Sequence, residues 1–231
     1  MDRRDIVILG MGPSRVYTDW SHKEIWAVNN GYQQAVEMKG HIEKLFLAHG
    51  QEWHRYVIDT VNTSEGVARV ERKLDEPFPV FNWDEINTLT EAGIEVINTH
   101  RIKGLKSRLY PLKRIMNKFD TDFFSDTICY MIAYALDEAT TGDRSKGIPV
   151  KLKYPLKLWF YGVDMIERSE YIEERGGVEY WLGIANGLGC DKPFITFDSS
   201  ILKNQRGSPY GMKMNMKNID PSNLLKTRKR K

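Results

Sequence analysis

The run Ile6-Val7-Ile8-Leu9, bounded by charges on one side and by Gly10-Met11-Gly12-Pro13-Ser14 on the other, constrains the fold of this chain more than any other segment. A continuous β-branched apolar run of that length suits a strand buried on both faces, as in a parallel sheet. Glycines at the strand end allow a tight turn and a close approach of backbone to a phosphate. Pro13 suits the first turn of a helix, and Ser14 can cap that helix or donate to an oxygen. The expectation is a strand whose following amides grip an anionic group.

Two similar runs follow at intervals of about twenty residues: Ile25-Trp26-Ala27-Val28, ended by Asn29-Asn30-Gly31, and Leu45-Phe46-Leu47-Ala48, ended by His49-Gly50. The spacing leaves room for short helices and favours βαβ units over an all-β fold. The predicted class is therefore α/β: a single Rossmann-like domain, with a mostly parallel sheet and helices on both faces. With 231 residues, the domain is predicted over 1–211, with an excursion at about 62–118 and a basic, flexible tail at 212–231.

Later segments are assigned by pattern. Residues 62–82 are polar and carry Pro77 and Pro79, which predicts a long loop, followed by a capped helix from about Asn82 to Ala92. Ile94-Glu95-Val96-Ile97 reads as a fourth strand. Residues 100–118 are basic, with Leu112, Ile115 and Met116 as a narrow apolar stripe, which suits a surface helix or flap. Ser125 or Asp126 can cap a helix whose apolar residues Ile128, Met131, Ile132 and Ala135 recur at helical spacing, ending near Glu138. A hairpin-like stretch from Gly142 to Pro155 precedes Leu156–Asp164, read as a central strand ending in Gly162 and a carboxylate. A helix over Gly177–Leu188 and an edge strand at Phe194–Phe197 complete the pattern.

Composition narrows the classes. Charged residues at 28% and hydrophobic residues at 41% are ordinary for a globular protein and unlike a disordered or fibrous one. No apolar run approaches the ~18 residues of a membrane span, and the opening apolar run is too short for a signal peptide, so the expected location is the cytoplasm. Cys129 and Cys190 form no C-x-x-C pair, which argues against a disulfide framework or zinc knuckle. Lys226 and Arg228 to Lys231 make a basic end that can hold polyanions through phosphate contacts, or simply be solvated.

In an open parallel sheet, ligands sit outside the carboxyl ends of the strands. That rule selects Gly10 to Ser14, Asn29 and Asn30, His49, Gly162 and Asp164 as candidates. Asn29 and Asn30 can bond a base or ribose, or simply fill a left-handed turn. His49 can be a ligand contact, a general base or a structural histidine. Asp164 can orient a hydroxyl or a metal, or cap the next helix. Glu170 is a further candidate base. Arg15 occupies the third glycine position of G-x-G-x-x-G, and no acid ends the second strand, which argues against a nicotinamide or flavin enzyme.

Together, Gly10-Met11-Gly12-Pro13-Ser14, Val28-Asn29-Asn30, Asp126-Thr127-Ile128-Cys129-Tyr130-Met131 and Trp159-Phe160-Tyr161-Gly162-Val163-Asp164-Met165 resemble single-Rossmann bacterial sialyltransferases. They are equally similar to archaeal hydroxymethylpterin pyrophosphokinase-like proteins, and phage genomes carry similar chains. The resemblance implies a cytidine monophosphate sugar held without a metal by Gly12, Ser14, Asn29 and Thr127, with Tyr130 and Asp164 nearby. Met11 stands where that family has asparagine, Ala48-His49 where it has asparagine-proline, and its downstream catalytic histidine has no counterpart here. The base then falls to His49 or a carboxylate such as Glu170. The leading expectation is a nucleotide-sugar-dependent glycosyltransferase with no permanently bound cofactor, with catalytic residues His49, Asp164 and Glu170. Two alternatives stand beside it: diphosphate transfer from ATP with magnesium held partly by Asp164, and a non-catalytic nucleotide-binding or host-targeting protein. The basic stretch at 101–118 and the tail add an expected polyanion or DNA contact.

Overall fold

The computed structural model describes residues 2–48, 53–63, 66–79, 81–165, 170–197 and 199–202; along 53–63, 66–79 and 170–173 it describes the backbone alone. The chain divides into the units Met1–Ile201 and Leu202–Lys231, and every described helix and strand belongs to the first. The expected boundary at 211 and the basic tail lie outside the described residues.

In chain order the elements are β1 (Arg4–Leu9), β2 (Ile25–Val28), α1 (Tyr32–Glu37), β3 (Lys44–Leu47), β4 (Trp53–Thr63), β5 (Gly66–Pro79), α2 (Trp83–Glu91), β6 (Glu95–Asn98), β7 (Arg108–Leu109), α3 (Leu112–Phe119), α4 (Thr127–Ala139), β8 (Thr140–Asp143), β9 (Ile148–Leu152), β10 (Leu156–Tyr161), α5 (Glu170–Gly187) and β11 (Phe194–Ile195). Seven strands form one sheet in the order β11-β10-β1-β2-β3-β6-β7, and every pairing in it is parallel. This is a Rossmann-like α/β domain, as the spacing of the apolar runs implied. The chain winds outward from β1 to β7, then returns to β10 and β11 on the other side of β1. The topological switch point therefore lies between β1 and β10.

The unbroken apolar character of β1 follows from its position, because its alternate residues enter two different cores. Ile6 and Ile8 pack with Trp26, Phe46, Met131, Ile132 and Trp181 on the face covered by α3, α4 and α5. Val7 and Leu9 pack with Ala27, Leu45, Tyr32, Phe81 and Ile86 on the face covered by α1 and α2. All four β1 side chains are fully buried, and each such burial is worth about 1.5–3 kcal/mol.

Helix α4 runs against the strand direction. Its Glu138 bonds Arg4, the first residue of β1, at 2.8 Å, and its Tyr134 ring lies edge-on to Trp26 and Phe46. Its first turn therefore stands at the carboxyl edge of the sheet. Asp126 caps it by accepting from the Cys129 amide at 2.7 Å, and Ile128, Met131, Ile132 and Ala135 are all buried, as their spacing predicted.

Several expectations need correction. The loop expected over 62–82 is mostly strand: β4 and β5 form a long antiparallel hairpin, with Pro79 at its end, where no ladder donor is needed. The glycine turn leads not into an α-helix but into a five-residue 3-10 turn, Pro13–Tyr17. Helix α5 begins seven residues before Gly177. The basic stretch holds the edge strand β7 as well as α3, and Ile115 and Phe119 of α3 are buried. β10 is one strand in from the edge.

Candidate functional site

At the switch point the ends of β1 and β10 are clasped together. The Gly10 amide donates to the Tyr161 carbonyl at 2.8 Å, and the Gly12 amide to the Gly162 carbonyl at 2.7 Å. The Ser14 amide donates to Asp164 Oδ2 at 2.9 Å, and the Ser14 hydroxyl donates to Asp164 Oδ1. The same Ser14 oxygen accepts from the Gly162 amide and from the Thr196 hydroxyl, each at 2.9 Å. The hydroxyl thus joins the ends of β1, β10 and β11, with every polar atom paired in a buried place. Two glycines allow this approach. A Cβ on Gly12 would stand 2.5 Å from Asp164 Oδ2, and Gly162 adopts a left-handed backbone (φ 66°) in contact with Gly10.

Of the amides expected to grip an anion, those of Gly10, Gly12, Ser14 and Arg15 are therefore consumed within the chain. Gly10, Gly12 and Ser14 are engaged as described, and Arg15 donates to the Gly12 carbonyl. Pro13 has no amide hydrogen. Met11 is 44% exposed, and its carbonyl accepts from the Arg15 guanidinium. Asp164, expected in a catalytic role, is only 5% exposed with both carboxylate oxygens on Ser14. It is therefore held as a buried structural tie, with one hydrogen bond from Ser14 on each oxygen.

Elsewhere along the carboxyl edge, buried polar atoms are left without partners among the described residues: Asn29 Oδ1, Asn98 Nδ2 and Asp126 Oδ2. Asn29 follows β2 in a left-handed conformation (φ 49°), which asparagine tolerates better than most residues. Asn98 ends β6 and is completely buried; its oxygen accepts from the His100 amide. The register pairs Val28 with Phe46 and Leu47 with Asn98, so Asn29 and Asn98 flank the end of β3. Strands lie about 4.8 Å apart, which puts the two asparagines roughly 10 Å apart across β3. Asp126 stands at the start of α4, where burial pushes its carboxyl above the ordinary value despite the pull of first-turn amides. Two of these atoms accept and one donates, and each unpaired buried group costs about 1–3 kcal/mol.

Other expected residues fall around this edge. Asn30 is half-buried beside Asn29, and Thr127 is the buried first residue of α4. Tyr130 stacks on Phe124. Glu170 is the first residue of α5, and its side chain lies outside the described residues. The α5 backbone nonetheless meets the start of α4, because the Ser125 hydroxyl donates to the Glu174 carbonyl at 2.8 Å. Glu170 thus begins about one helical turn, ~5.4 Å, beyond that contact. His49 lies outside the described residues.

Two residues at this edge were not among the expected site residues. Ile97-Asn98 repeats the strand-then-asparagine ending of Val28-Asn29, a signal the sequence carried. Asp126 was legible as a cap but not as a half-paired acceptor, which depends on tertiary burial. The domain belongs by architecture to the α/β proteins with a nucleotide-binding-like parallel sheet. Comparison with protein-family models, curated proteins and solved structures finds no match for this chain.

Proposed function

We propose that this protein is a nucleotide-sugar-dependent glycosyltransferase that binds its donor where β2, β3 and β6 end and α4 begins, with an acceptor hydroxyl of unassigned identity. The observation that carries the reading is the set of unpaired buried atoms at that edge, Asn29 Oδ1, Asp126 Oδ2 and Asn98 Nδ2. A nucleoside supplies the complement: ribose hydroxyls and a base amino group donate to the two oxygens, and a base carbonyl or ring nitrogen accepts from the amide nitrogen. Thr127 and the first turn of α4 then face the phosphates, whose charge is favoured at a helix N-terminus.

In this scheme the clasped glycine turn fixes the edge rather than holding the phosphate. As the sugar leaves the nucleotide, the helix N-terminus stabilises the charge gathering on the departing phosphate. Glu170 at the start of α5, or His49 beyond β3, takes the proton from the acceptor hydroxyl. A thermal-shift panel of nucleotides and nucleotide sugars, with and without magnesium, tests the reading, since a ligand that binds only the folded state raises Tm. The expected result is a metal-independent rise with a pyrimidine nucleotide sugar, followed by its turnover with a hydroxyl acceptor. A panel that leaves Tm unchanged throughout refutes it.

One observation favours a second reading, a non-catalytic nucleotide-binding protein. Asp164 serves as a structural tie through Ser14, which removes one of the three expected catalytic groups. Stable binding without turnover of any sugar nucleotide would select this reading. Diphosphate transfer from ATP gains no such support, since Asp164 is buried and already bonded by Ser14.

A further inference from the structure

The segment 101–118 contains seven cations and not one acid, while the whole chain carries only +3. The structure lays this segment along the outer edge of the sheet. It leaves Asn98 at the carboxyl edge, forms the terminal strand β7, and returns along α3 beside α4. Arg101, Lys103, Lys106, Arg108, Lys113 and Arg114 are all exposed. Among the described residues, Arg101, Lys103, Lys106 and Lys113 have no carboxylate partner.

Arg108 and Arg114 are different, because each is held in place by one acid. Arg108 Nη1 bonds Glu95 at 3.0 Å, and Arg114 Nη2 bonds Asp137 at 2.5 Å. Asp137 is also bonded by Lys118 Nζ at 3.0 Å, so its charge is answered twice. Arg108, Arg114, Lys118 and Asp137, with Tyr134 and Glu138, line an open pocket of about 300 Å³ formed by β7, α3 and α4. A guanidinium has five N–H donors. Anchoring through one nitrogen fixes each fork at little further entropic cost and leaves most donors facing outward, the arrangement suited to a phosphate oxygen.

We infer that this edge is a docking surface for the sugar-phosphate backbone of a nucleic acid, with one phosphate seated between Arg108 and Arg114 and its neighbours on the flanking lysines. A single small phosphate would use the two arginines and leave the other cations without a role, whereas a line of phosphates uses them all. An anionic bilayer fits less well, because among the described residues only Leu109 and Leu112 offer exposed apolar surface along this segment. The inference is independent of the nucleotide reading and concerns a different part of the molecule from the paired ends of β1 and β10.

The test is fluorescence anisotropy of a labelled DNA of about 20 nucleotides, single- and double-stranded, titrated with the full chain at roughly 50 and 150 mM salt. Binding that weakens steeply with salt is expected. The triple variant Lys103→Gln, Lys106→Gln, Lys113→Gln breaks no ion pair among the described residues. It is expected to bind about tenfold more weakly at low salt, with a log–log salt slope shallower by about 2–3. A variant with the five cations of 226–231 changed to Gln separates the tail from this surface and is expected to retain most of the affinity. The inference is overturned if the wild-type chain binds no DNA at low salt. It is equally overturned if the triple variant binds like wild type while the tail variant does not bind, or if the chain binds phosphatidylserine vesicles and not DNA.

Discussion

Ser14 donates both its amide and its hydroxyl to Asp164, across 150 residues of sequence. The pair converts the end of the first strand from an open loop into a clasp with β10, and it moves the candidate ligand site along the edge toward β2, β6 and α4. A glycine-rich turn after a buried strand is compatible with either arrangement. What separates them is where the amides go, and here they go to Tyr161, Gly162 and Asp164.

Asp164→Ala should be strongly destabilising. It strands the Ser14 amide and hydroxyl in a buried place, which costs about 1–3 kcal/mol for each donor. Urea denaturation measures the loss, and a change below about 0.5 kcal/mol, the range of ordinary surface substitutions, would show that the clasp does not hold the strand ends.

Gly12→Ala should also destabilise, for a steric reason. Its Cβ would sit 2.5 Å from Asp164 Oδ2 and 2.8 Å from the Gly162 carbonyl. Neither has room to move while the clasp is closed, so a loss of about 1–3 kcal/mol or more is expected. Thermal unfolding with unchanged Tm would contradict the close approach.

Asp126 should impose a pH dependence. Burial raises its carboxyl in the folded state above the ordinary value of 3.8. The fold therefore binds the proton more readily than the unfolded chain. The associated stability is fully present below that ordinary value and is lost as pH rises through the folded one. Asn caps helices as well as Asp, so Asp126→Asn should match or exceed wild type in Tm at neutral pH, with the difference vanishing in acid. A variant less stable than wild type at pH 7 would mean that the carboxylate is fully compensated.

Cys129 should be inert in the native protein. Burial, with Asp126 adding to it, pushes its thiol up to about 12, and the thiolate is the reactive form. Alkylation at mildly alkaline pH should modify Cys129 only after denaturant is added. Rapid native labelling at this residue, located by peptide mass, would contradict the packing of α4.

The fold was legible where local pattern and tertiary role coincide. The runs at Ile6, Ile25 and Leu45 read as buried parallel strands because both faces of the sheet are covered, and α4 read as helix because Ile128, Met131, Ile132 and Ala135 recur at helical spacing, although the helix is buried on almost every side. The hairpin β4–β5 was missed because prolines at 77 and 79 suggest a loop, whereas Pro79 only ends a strand. The site was half legible. Asn29 stands at the strand end where the carboxyl-edge rule put it, and Thr127, which only the family resemblance singled out, is the first residue of α4. The pairing of Ser14 with Asp164 could not be read from either residue alone, because it depends on β10 returning beside β1 and on glycines letting the two ends touch.

The central claim is that a nucleotide binds at the ends of β2 and β6 beside the start of α4, and not on the amides of the first glycine turn. Amide chemical-shift mapping tests it most directly, with cytidine monophosphate, uridine diphosphate and ATP added in turn. At least one should shift the signals of Asn29 to Gly31, Asn98 to His100 and Asp126 to Cys129 together. Shifts confined to Gly10–Arg15 or to Arg108–Lys118, or no shift with any of the three, would contradict the account.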